Sequence, residues 1–229
     1  MDRHQSNQKI ASQIKLSQNN KSRHAYGSAT SVTTRFILLH SGFLDNYCKR
    51  NAFNFHQSQS FQMKRITSFK PIERVSARIL ILGSMPGEMS LAAKQYYAHP
   101  RNSFWQIMCA ILNIPHAATY EQRIDALKNA NIALWDVLHS CVRDGSLDAN
   151  IDAKSVEAND IAKFLQNHSN IETVVFNGAM AEKCYRRFAL PRLKNCRANY
   201  VRLPSTSPAH AALSFDEKVA IWRAAISRG

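Results

Sequence analysis

The sequence predicts an α/β fold in which a parallel sheet is covered by helices on both faces. Short apolar runs alternate with helical segments from Arg78 onward, and this alternation is typical of parallel sheets. Each strand-like run is followed directly by a polar or Gly- and Pro-containing loop. The hydrophobic content of 45% is ordinary for a globular protein. No run approaches the roughly 18 apolar residues of a membrane span.

The first half of this region contains two predicted strands and two predicted helices. The strands are the apolar runs 78–82 and 132–135. Residues 104–114 are apolar nearly all round, which is typical of a buried helix. Residues 119–122 (TYEQ) form a capping-box pattern that opens the next helix. A polar loop is expected from the end of the second strand to about Ala153.

The second half continues the alternation. A helix is predicted near residues 157–167, followed by a strand at 173–176. Apolar positions at helical spacing predict a helix over 181–188. The fourth strand is 200–203, and a second capping box at 214–217 (SFDE) opens the final helix.

Residues 1–62 differ from the rest of the chain and predict a basic, disordered N-terminal extension. They are rich in Ser, Asn and Gln and contain eight Lys and Arg against two Asp. Met63 lies directly before the compact region, so a natural start at Met63 is an alternative interpretation. The predicted catalytic domain is residues 63–229.

The charge of the chain favours a polyanionic partner, of which nucleic acid is the commonest. The net charge is +14, and the 22 basic and 14 acidic residues of 63–229 still give +8. The five cysteines include no C-x-x-C pair, so neither a zinc site nor an iron–sulfur cluster is expected. Scattered cysteines indicate reduced thiols in a cytosolic setting.

Four loops follow the four predicted strands: Gly83–Gly87, Asp136–Ser140, Asn177–Gly178 and Pro204–Ala211. Because the carboxyl ends of parallel strands lie on one edge of a sheet, these loops are expected to converge there. Ligands bind at this edge in open α/β folds. The sequence therefore predicts one shared site.

Each candidate also has a structural interpretation. Gly83–Gly87 can be a tight turn, and Asn102 can be the N-cap of the following helix. The segment Pro204–Pro208 can be a turn, although its hydroxyls and backbone amides suit a phosphate. Tyr96 and Tyr97 are adjacent and cannot share a face, so one of them is expected to face the cleft, where a base could stack.

Five segments carry a resemblance to a known family. They are GSMPG, QYYAHPRNSFW, ALWDV, VVFNG and LPSTSPAHA, in this order. Together they resemble the uracil-DNA glycosylase superfamily, and within it the hypoxanthine-DNA (DNA-deoxyinosine) glycosylases. The resemblance covers residues 63–229.

The resemblance implies a three-layer α/β/α sandwich around a four-stranded parallel sheet. It implies a monofunctional, metal-free and cofactor-free enzyme of base excision repair. Such an enzyme binds DNA, flips a deaminated base into a pocket and hydrolyses its N-glycosidic bond. The expected protein is a monomer in the cytoplasm, associated with the nucleoid.

The resemblance also assigns roles to residues of this sequence. Most of the superfamily carries Asp or Asn where this chain has Met85, and a thioether cannot orient water. The role of positioning water then passes to Asn102. Gly87 replaces a bulky aromatic residue and leaves room for a purine, whereas Leu203 replaces a histidine of the uracil enzymes. Asp136 lies at the base-recognition position, where it could accept a hydrogen bond from N1–H of hypoxanthine.

The remaining expected site residues fall into two groups. The predicted base pocket contains Gly83, Ser84, Met85, Pro86, Gly87, Tyr97, Phe104, Asp136 and Asn177. The predicted DNA contacts are Arg101, Pro204, Ser205, Thr206, Ser207 and His210.

Two other functions remain open from the sequence. One is a uracil or mismatch-specific DNA glycosylase. The other is a nucleic-acid-binding protein without catalysis, in which Met85 and Leu203 mark lost chemistry.

Overall fold

The computed structural model describes residues 65–193 and 198–227. The predicted extension at 1–62 and the alternative start at Met63 lie outside the described residues. The helices and strands follow in the chain as β1 (Arg65–Thr67), β2 (Ile79–Gly83), α1 (Glu88–Ala93), α2 (Phe104–Leu112), α3 (Tyr120–Asn129), β3 (Ile132–Asp136), β4 (Leu138–Val142), β5 (Glu157–Ala158), α4 (Ile161–Asn167), β6 (Thr173–Asn177), α5 (Ala179–Cys184), β7 (Asn199–Leu203) and α6 (Phe215–Ile226).

The central sheet consists of four parallel strands in the spatial order β3-β2-β6-β7. All five residues of β2 are buried, because this strand is central and both faces of the sheet are covered. The predicted four-stranded parallel sheet is therefore confirmed.

Two hydrophobic clusters cover the two faces of this sheet. On one face, Leu80 and Leu82 of β2 pack with residues of α4 and α5. On the other, Ile79 and Ile81 pack with residues of α2, α3 and α6. Alternate residues of one strand thus enter opposite clusters, as the period of a β-strand requires. The result is the three-layer α/β/α sandwich that the resemblance implies.

The helix boundaries follow from local chemistry. Both predicted capping boxes are present, at Thr119 with Gln122 and at Ser214 with Glu217. The helix predicted over 104–114 ends at Leu112 because Asn113 adopts a left-handed conformation, with φ of 54°.

The prediction of a polar loop up to about Ala153 was wrong. Strand β4 begins two residues after β3 and pairs antiparallel with β1 and β5 in a second, three-stranded sheet. The helix predicted near 157–167 begins only at Ile161, because residues 157–158 form β5. The pairing of Ser140 with Thr67 joins distant parts of the chain, and local sequence patterns carry no signal for such a contact.

None of the helices among the described residues has the length and apolar character needed to cross a bilayer. Cys109, Cys141 and Cys184 are buried free thiols.

Candidate active site

A cleft with a volume of about 560 Å³ opens at the carboxyl edge of the parallel sheet. The strand register brings the strand ends to the same level, since Gly83 lies beside Asp136 and Asn177 lies beside Leu203. The loops that follow β2, β6 and β7 meet there, together with Asp136 at the end of β3. The cleft is thus a direct consequence of the parallel topology.

Most of the predicted site residues line this cleft. They are Gly83, Ser84, Met85, Pro86, Gly87, Tyr97, Asn102, Asp136, Asn177, Ser205, Thr206, Ser207 and His210.

Three predicted residues do not line it. Phe104 is fully buried behind Tyr97, and the two rings stack with centroids 4.1 Å apart. Arg101 is exposed beside the cleft. The Pro204 carbonyl oxygen accepts a hydrogen bond from Trp222 Nε1 at 3.0 Å. Leu203, at the position of the absent histidine, is buried in the core cluster that includes α2 and α6.

Asp136 occupies the floor of the cleft. Its side chain fits only because residue 83 has no Cβ, since a Cβ on Gly83 would lie 2.3 Å from Asp136 Oδ1 and 2.9 Å from the Tyr97 hydroxyl. Asp136 is only 3% exposed, and its Oδ2 has no hydrogen-bond partner among the described residues. A buried carboxyl oxygen without a partner is costly in a folded protein, and a proton on the group or a donor from a ligand that reaches it would relieve this cost.

Burial raises the pKa of Asp136 to about 8, and the nearby Asp148 carboxylate adds to the effect. The Arg143 guanidinium acts in the opposite direction but does not overcome the loss of hydration. At pH 7 the neutral carboxylic acid therefore predominates. In that form the group offers one O–H donor and one carbonyl acceptor.

Tyr97 is the tyrosine of the adjacent pair that faces the cleft. Tyr96 instead lies in the core, where its hydroxyl donates to the Lys70 carbonyl oxygen at 3.2 Å. Tyr97 adopts a left-handed conformation, with φ of 53°, which is uncommon for a bulky residue. Burial and the Asp136 carboxyl group raise the pKa of its hydroxyl, so Tyr97 remains protonated. Its hydroxyl lies near Asn177, but the geometry does not complete a hydrogen bond.

Asn102 lines the cleft with its side chain fixed in orientation. Its Oδ1 accepts a hydrogen bond from the Phe104 N–H at 3.0 Å at the start of α2. The N-cap of α2 is Ser103, whose side chain makes no capping bond, so Asn102 is not the N-cap but supplies a hydrogen bond to the first turn from one residue earlier. A carbonyl oxygen has two lone pairs, so Asn102 Oδ1 can accept one further hydrogen bond.

Thr206 connects the loop after β7 to the rest of the site. It is 1% exposed, and its N–H and hydroxyl both bond the Asn177 side chain at 2.9 Å. Its carbonyl oxygen accepts from the Ser103 N–H at 3.0 Å. The Asn177 and Thr206 side chains are thus engaged with each other, whereas Ser205 and Ser207 on either side of Thr206 are partly exposed.

Gly178 permits this close approach of the loop. It has a φ of 94°, and a Cβ there would lie 2.8 Å from the Ser205 Cβ. A larger residue would therefore be strained and would also displace the loop.

Sequence reasoning missed a polar network below the first loop. Arg143 is 5% exposed and donates to the carbonyl oxygens of Pro86 and Gly145, at 2.5 and 2.9 Å. Ser84 Oγ donates to Asp148 Oδ2 at 2.5 Å, and Asp148 also lines the cleft. These residues lie in the segment predicted to be a polar loop, where Arg and Asp are ordinary and give no signal of burial.

Across residues 65–193 and 198–227, no three His, Cys, Asp or Glu side chains come together as a metal site would require. The chemistry offered by the described residues is hydrogen bonding around a buried carboxyl group.

The absence of a side chain at residue 83 can be tested by its effect on stability. We expect Gly83→Ala to lower the free energy of unfolding by about 1–3 kcal/mol, because the new methyl group forces Asp136 and Tyr97 apart. Gly87→Ala is the matched control: its Cβ would lie 3.5 Å from Ser146 Oγ, an ordinary contact, and it should lower stability by less than about 1 kcal/mol, because Ala is a poorer N-cap of α1 than Gly. Denaturant unfolding measures the loss of unfolding free energy in both variants. Equal losses in the two variants would contradict this description of the cleft floor.

Comparison with known proteins agrees with this architecture. The family model of the uracil DNA glycosylase superfamily matches residues 70–226. A protein named hypoxanthine DNA glycosylase from Methanosarcina barkeri (strain Fusaro / DSM 804) is 38% identical over 111 residues, which are 48% of this chain and 69% of that protein. A protein of the same name from Methanosarcina acetivorans is 33% identical over 141 residues, 61% of this chain and 84% of the relative.

A solved structure is also similar. It is the solution NMR structure of a candidate uracil DNA glycosylase from Methanosarcina acetivorans, with a TM-score of 0.58 and 29% sequence identity. The match covers 70% of this chain and 98% of that one. Since the family model spans well over half of the sequence, this chain belongs to the uracil DNA glycosylase superfamily.

Proposed function

We propose that this protein is a monofunctional DNA glycosylase that removes hypoxanthine from deoxyinosine in DNA. Two relatives at 38% and 33% identity are named hypoxanthine DNA glycosylase. The net charge of +14 suits a DNA substrate. The base would reach the cleft only after rotation out of the helix, as enzymes that act on a base within a duplex require.

The buried Asp136 carboxyl group is the observation that carries this proposal. In its neutral form its carbonyl oxygen can accept from N1–H of hypoxanthine while its O–H donates to O6. Adenine has a bare N1 and an amino group at C6, so it presents the opposite pattern and would pair only with the proton on the other carboxyl oxygen. The neutral acid thus replaces the carboxylate acceptor that was expected from the sequence.

The same contact would assist bond breaking. Cleavage of the C1′–N9 bond leaves the electron pair on the base and positive charge on the sugar. Negative charge that spreads to O6 strengthens the hydrogen bond from the Asp136 O–H, because the bond is stronger to a charged acceptor. An ionised Asp136 would instead repel the departing base.

Asn102 would position the attacking water. Its Oδ1 is held by the Phe104 N–H and can accept one proton of a water molecule, which leaves a water lone pair free to attack C1′. An amide is a poor base, but water adds readily to a sugar cation once that cation has formed. The water loses one proton to solvent on attack and the base anion takes up one proton from solvent, so the products are neutral hypoxanthine and an abasic site.

The loop after β7 would hold the DNA backbone. Ser205 and Ser207 lie on either side of the anchored Thr206, and the Lys218 ammonium group fixes the far end of the loop through the His210 carbonyl oxygen at 2.8 Å. Small hydroxyl side chains and backbone amides suit phosphate oxygens. The anchored loop can therefore bind DNA without a large conformational change.

Excision of the base is the direct test of this function. Purified protein should convert deoxyinosine-containing oligonucleotides to alkali-cleavable abasic products. Asn102→Ala should lose at least about 100-fold in single-turnover rate, whereas Asn167→Ala, an exposed asparagine at the end of α4, should retain full activity.

The variant should also remain folded, with a loss of about 1 kcal/mol from the missing bond at the start of α2. Full activity of Asn102→Ala would refute its role in positioning water.

Parallel substrates with uracil and xanthine define the specificity, and activity on uracil alone would refute the hypoxanthine assignment. No product from any of these bases would refute the function.

The protonation state of Asp136 predicts the pH dependence. The rate should fall as the pH rises through about 8, because the carboxyl group then loses the proton that it donates to O6. Asp136→Asn keeps one donor and one acceptor but does not titrate, so it should retain activity within about tenfold without that fall. Asp136→Leu should lose the activity.

Rate measurements from pH 6 to 9.5 on the three proteins decide this point. A fall above pH 8 that persists in Asp136→Asn would come from the base or the DNA. A wild-type rate that increases through pH 8 would contradict the neutral acid.

A further inference from the structure

A second cavity, with a volume of about 310 Å³, adjoins the cleft. The two share Tyr97, His99 and Asn102 as wall residues. The rest of this second cavity, here called the side cavity, is formed by the turn before α2, by α2, by His116 and by the first turn of α3, which carries Arg123. A molecule that occupies the side cavity therefore touches the same turn that carries Asn102.

The polar side chains that line the side cavity include several hydrogen-bond donors and one permanent positive charge, that of Arg123. They include Arg123, His99, His116 and Gln106, and no Asp or Glu of the described chain lines the cavity. His99 Nδ1 accepts from the Arg101 N–H at 3.1 Å, so the proton of the neutral ring lies on Nε2, which is free to donate.

Arg123 is the strongest of these donors. Its Nη2 donates to the His116 carbonyl oxygen at 3.2 Å, its Nε is buried without a partner, and it forms no salt bridge with any described residue. A guanidinium group that is held in place but not neutralised by a carboxylate suits a phosphate.

The charge of the side chains differs between the two sides of the cleft mouth. Glu88, at the start of α1, is an exposed carboxylate on the cleft wall and repels DNA phosphates, whereas Asp148 on the same wall is paired with Arg143 at 3.6 Å. The turn over residues 97–102 instead carries the exposed Arg101 and borders the side cavity. The favourable direction for a DNA strand leaving the cleft is therefore past this turn.

We propose that the side cavity binds a backbone phosphate of the damaged strand, next to the nucleotide whose base enters the cleft. This inference rests on the proposed function, since it takes DNA as the ligand. A strand carries one phosphate for about every 3.4 Å of helix axis, so a flanking phosphate lies within reach of a cavity that shares a wall with the cleft.

Single-turnover excision from a deoxyinosine duplex tests the site, because it separates the half-saturating protein concentration from the maximal rate. Arg123→Gln should raise the half-saturating concentration about fivefold at low salt and reduce the slope of log affinity against log salt by about 1. The maximal rate should change less than about twofold. Arg78→Gln is the matched control, because Arg78 is exposed and paired with Glu172 just before β2, at the other edge of the sheet.

Neutral methylphosphonate linkages locate the phosphate. At one position beside deoxyinosine, a methylphosphonate linkage should weaken binding by the wild-type protein about as much as Arg123→Gln does. The same linkage should have little further effect on binding by Arg123→Gln, because the contact is already lost. The site is refuted if Arg123→Gln behaves like Arg78→Gln, or if every linkage affects both proteins equally.

A second pair of variants tests the site if Arg123→Gln does not fold. Gln106 is an exposed residue of the side cavity, so Gln106→Glu adds a negative charge there, while Gln166→Glu adds it on exposed α4. Only Gln106→Glu should weaken binding of the duplex, and equal affinities of the two variants would refute the site.

If the wild-type protein leaves no abasic site, the proposed function fails, and fluorescence anisotropy with the same duplexes and variants then tests phosphate binding alone.

Discussion

The space left by the missing side chain at Gly83 is the constraint on which the site depends. Strands β2 and β3 pair in register, so Gly83 lies beside Asp136 at the edge of the sheet. Because residue 83 has no Cβ, the Asp136 carboxyl group and the Tyr97 hydroxyl can both lie in the space that a Cβ would need. The carboxyl group is thereby removed from water, and its proton affinity rises. The pKa of Asp136 thus depends on the pairing of β2 with β3 and on the packing around Gly83.

The loops around this point are held by hydrogen bonds that leave the cleft itself open. Thr206 joins the loop after β7 to Asn177 and to the start of α2. Arg143 holds the loop after β2 from below through the Pro86 carbonyl oxygen. Loops fixed in this way can present donors and acceptors without reorganisation, and preorganised polar groups are the main source of electrostatic stabilisation in enzymes. If Asn102 takes the role that Asp or Asn at position 85 is expected to have elsewhere in the superfamily, catalysis depends on the position of a water molecule rather than on a strong base.

Much of the fold was predictable because its signals are local. Alternating apolar runs identified the four parallel strands, and the two capping boxes fixed the starts of α3 and α6. Parallel topology then placed most of the candidate residues at one edge. Strands β4 and β5 were missed because β4 is stabilised by pairing with β1, far away in the sequence. The protonation of Asp136 and the burial of Arg143 were also beyond sequence reasoning, since both depend on which distant side chains surround them.

Recognition of hypoxanthine as proposed requires Asp136 to be a neutral acid at physiological pH, and the titration of its carboxyl group can be observed by NMR. The ¹³C chemical shift of the Asp136 carboxyl carbon, assigned by comparison with Asp136→Asn, can be followed by NMR from pH 3 to 10. The structure predicts a pKa of about 8 for Asp136. A midpoint near 4, the ordinary value for an exposed aspartate, would show a carboxylate on the cleft floor and contradict the proposed recognition of hypoxanthine.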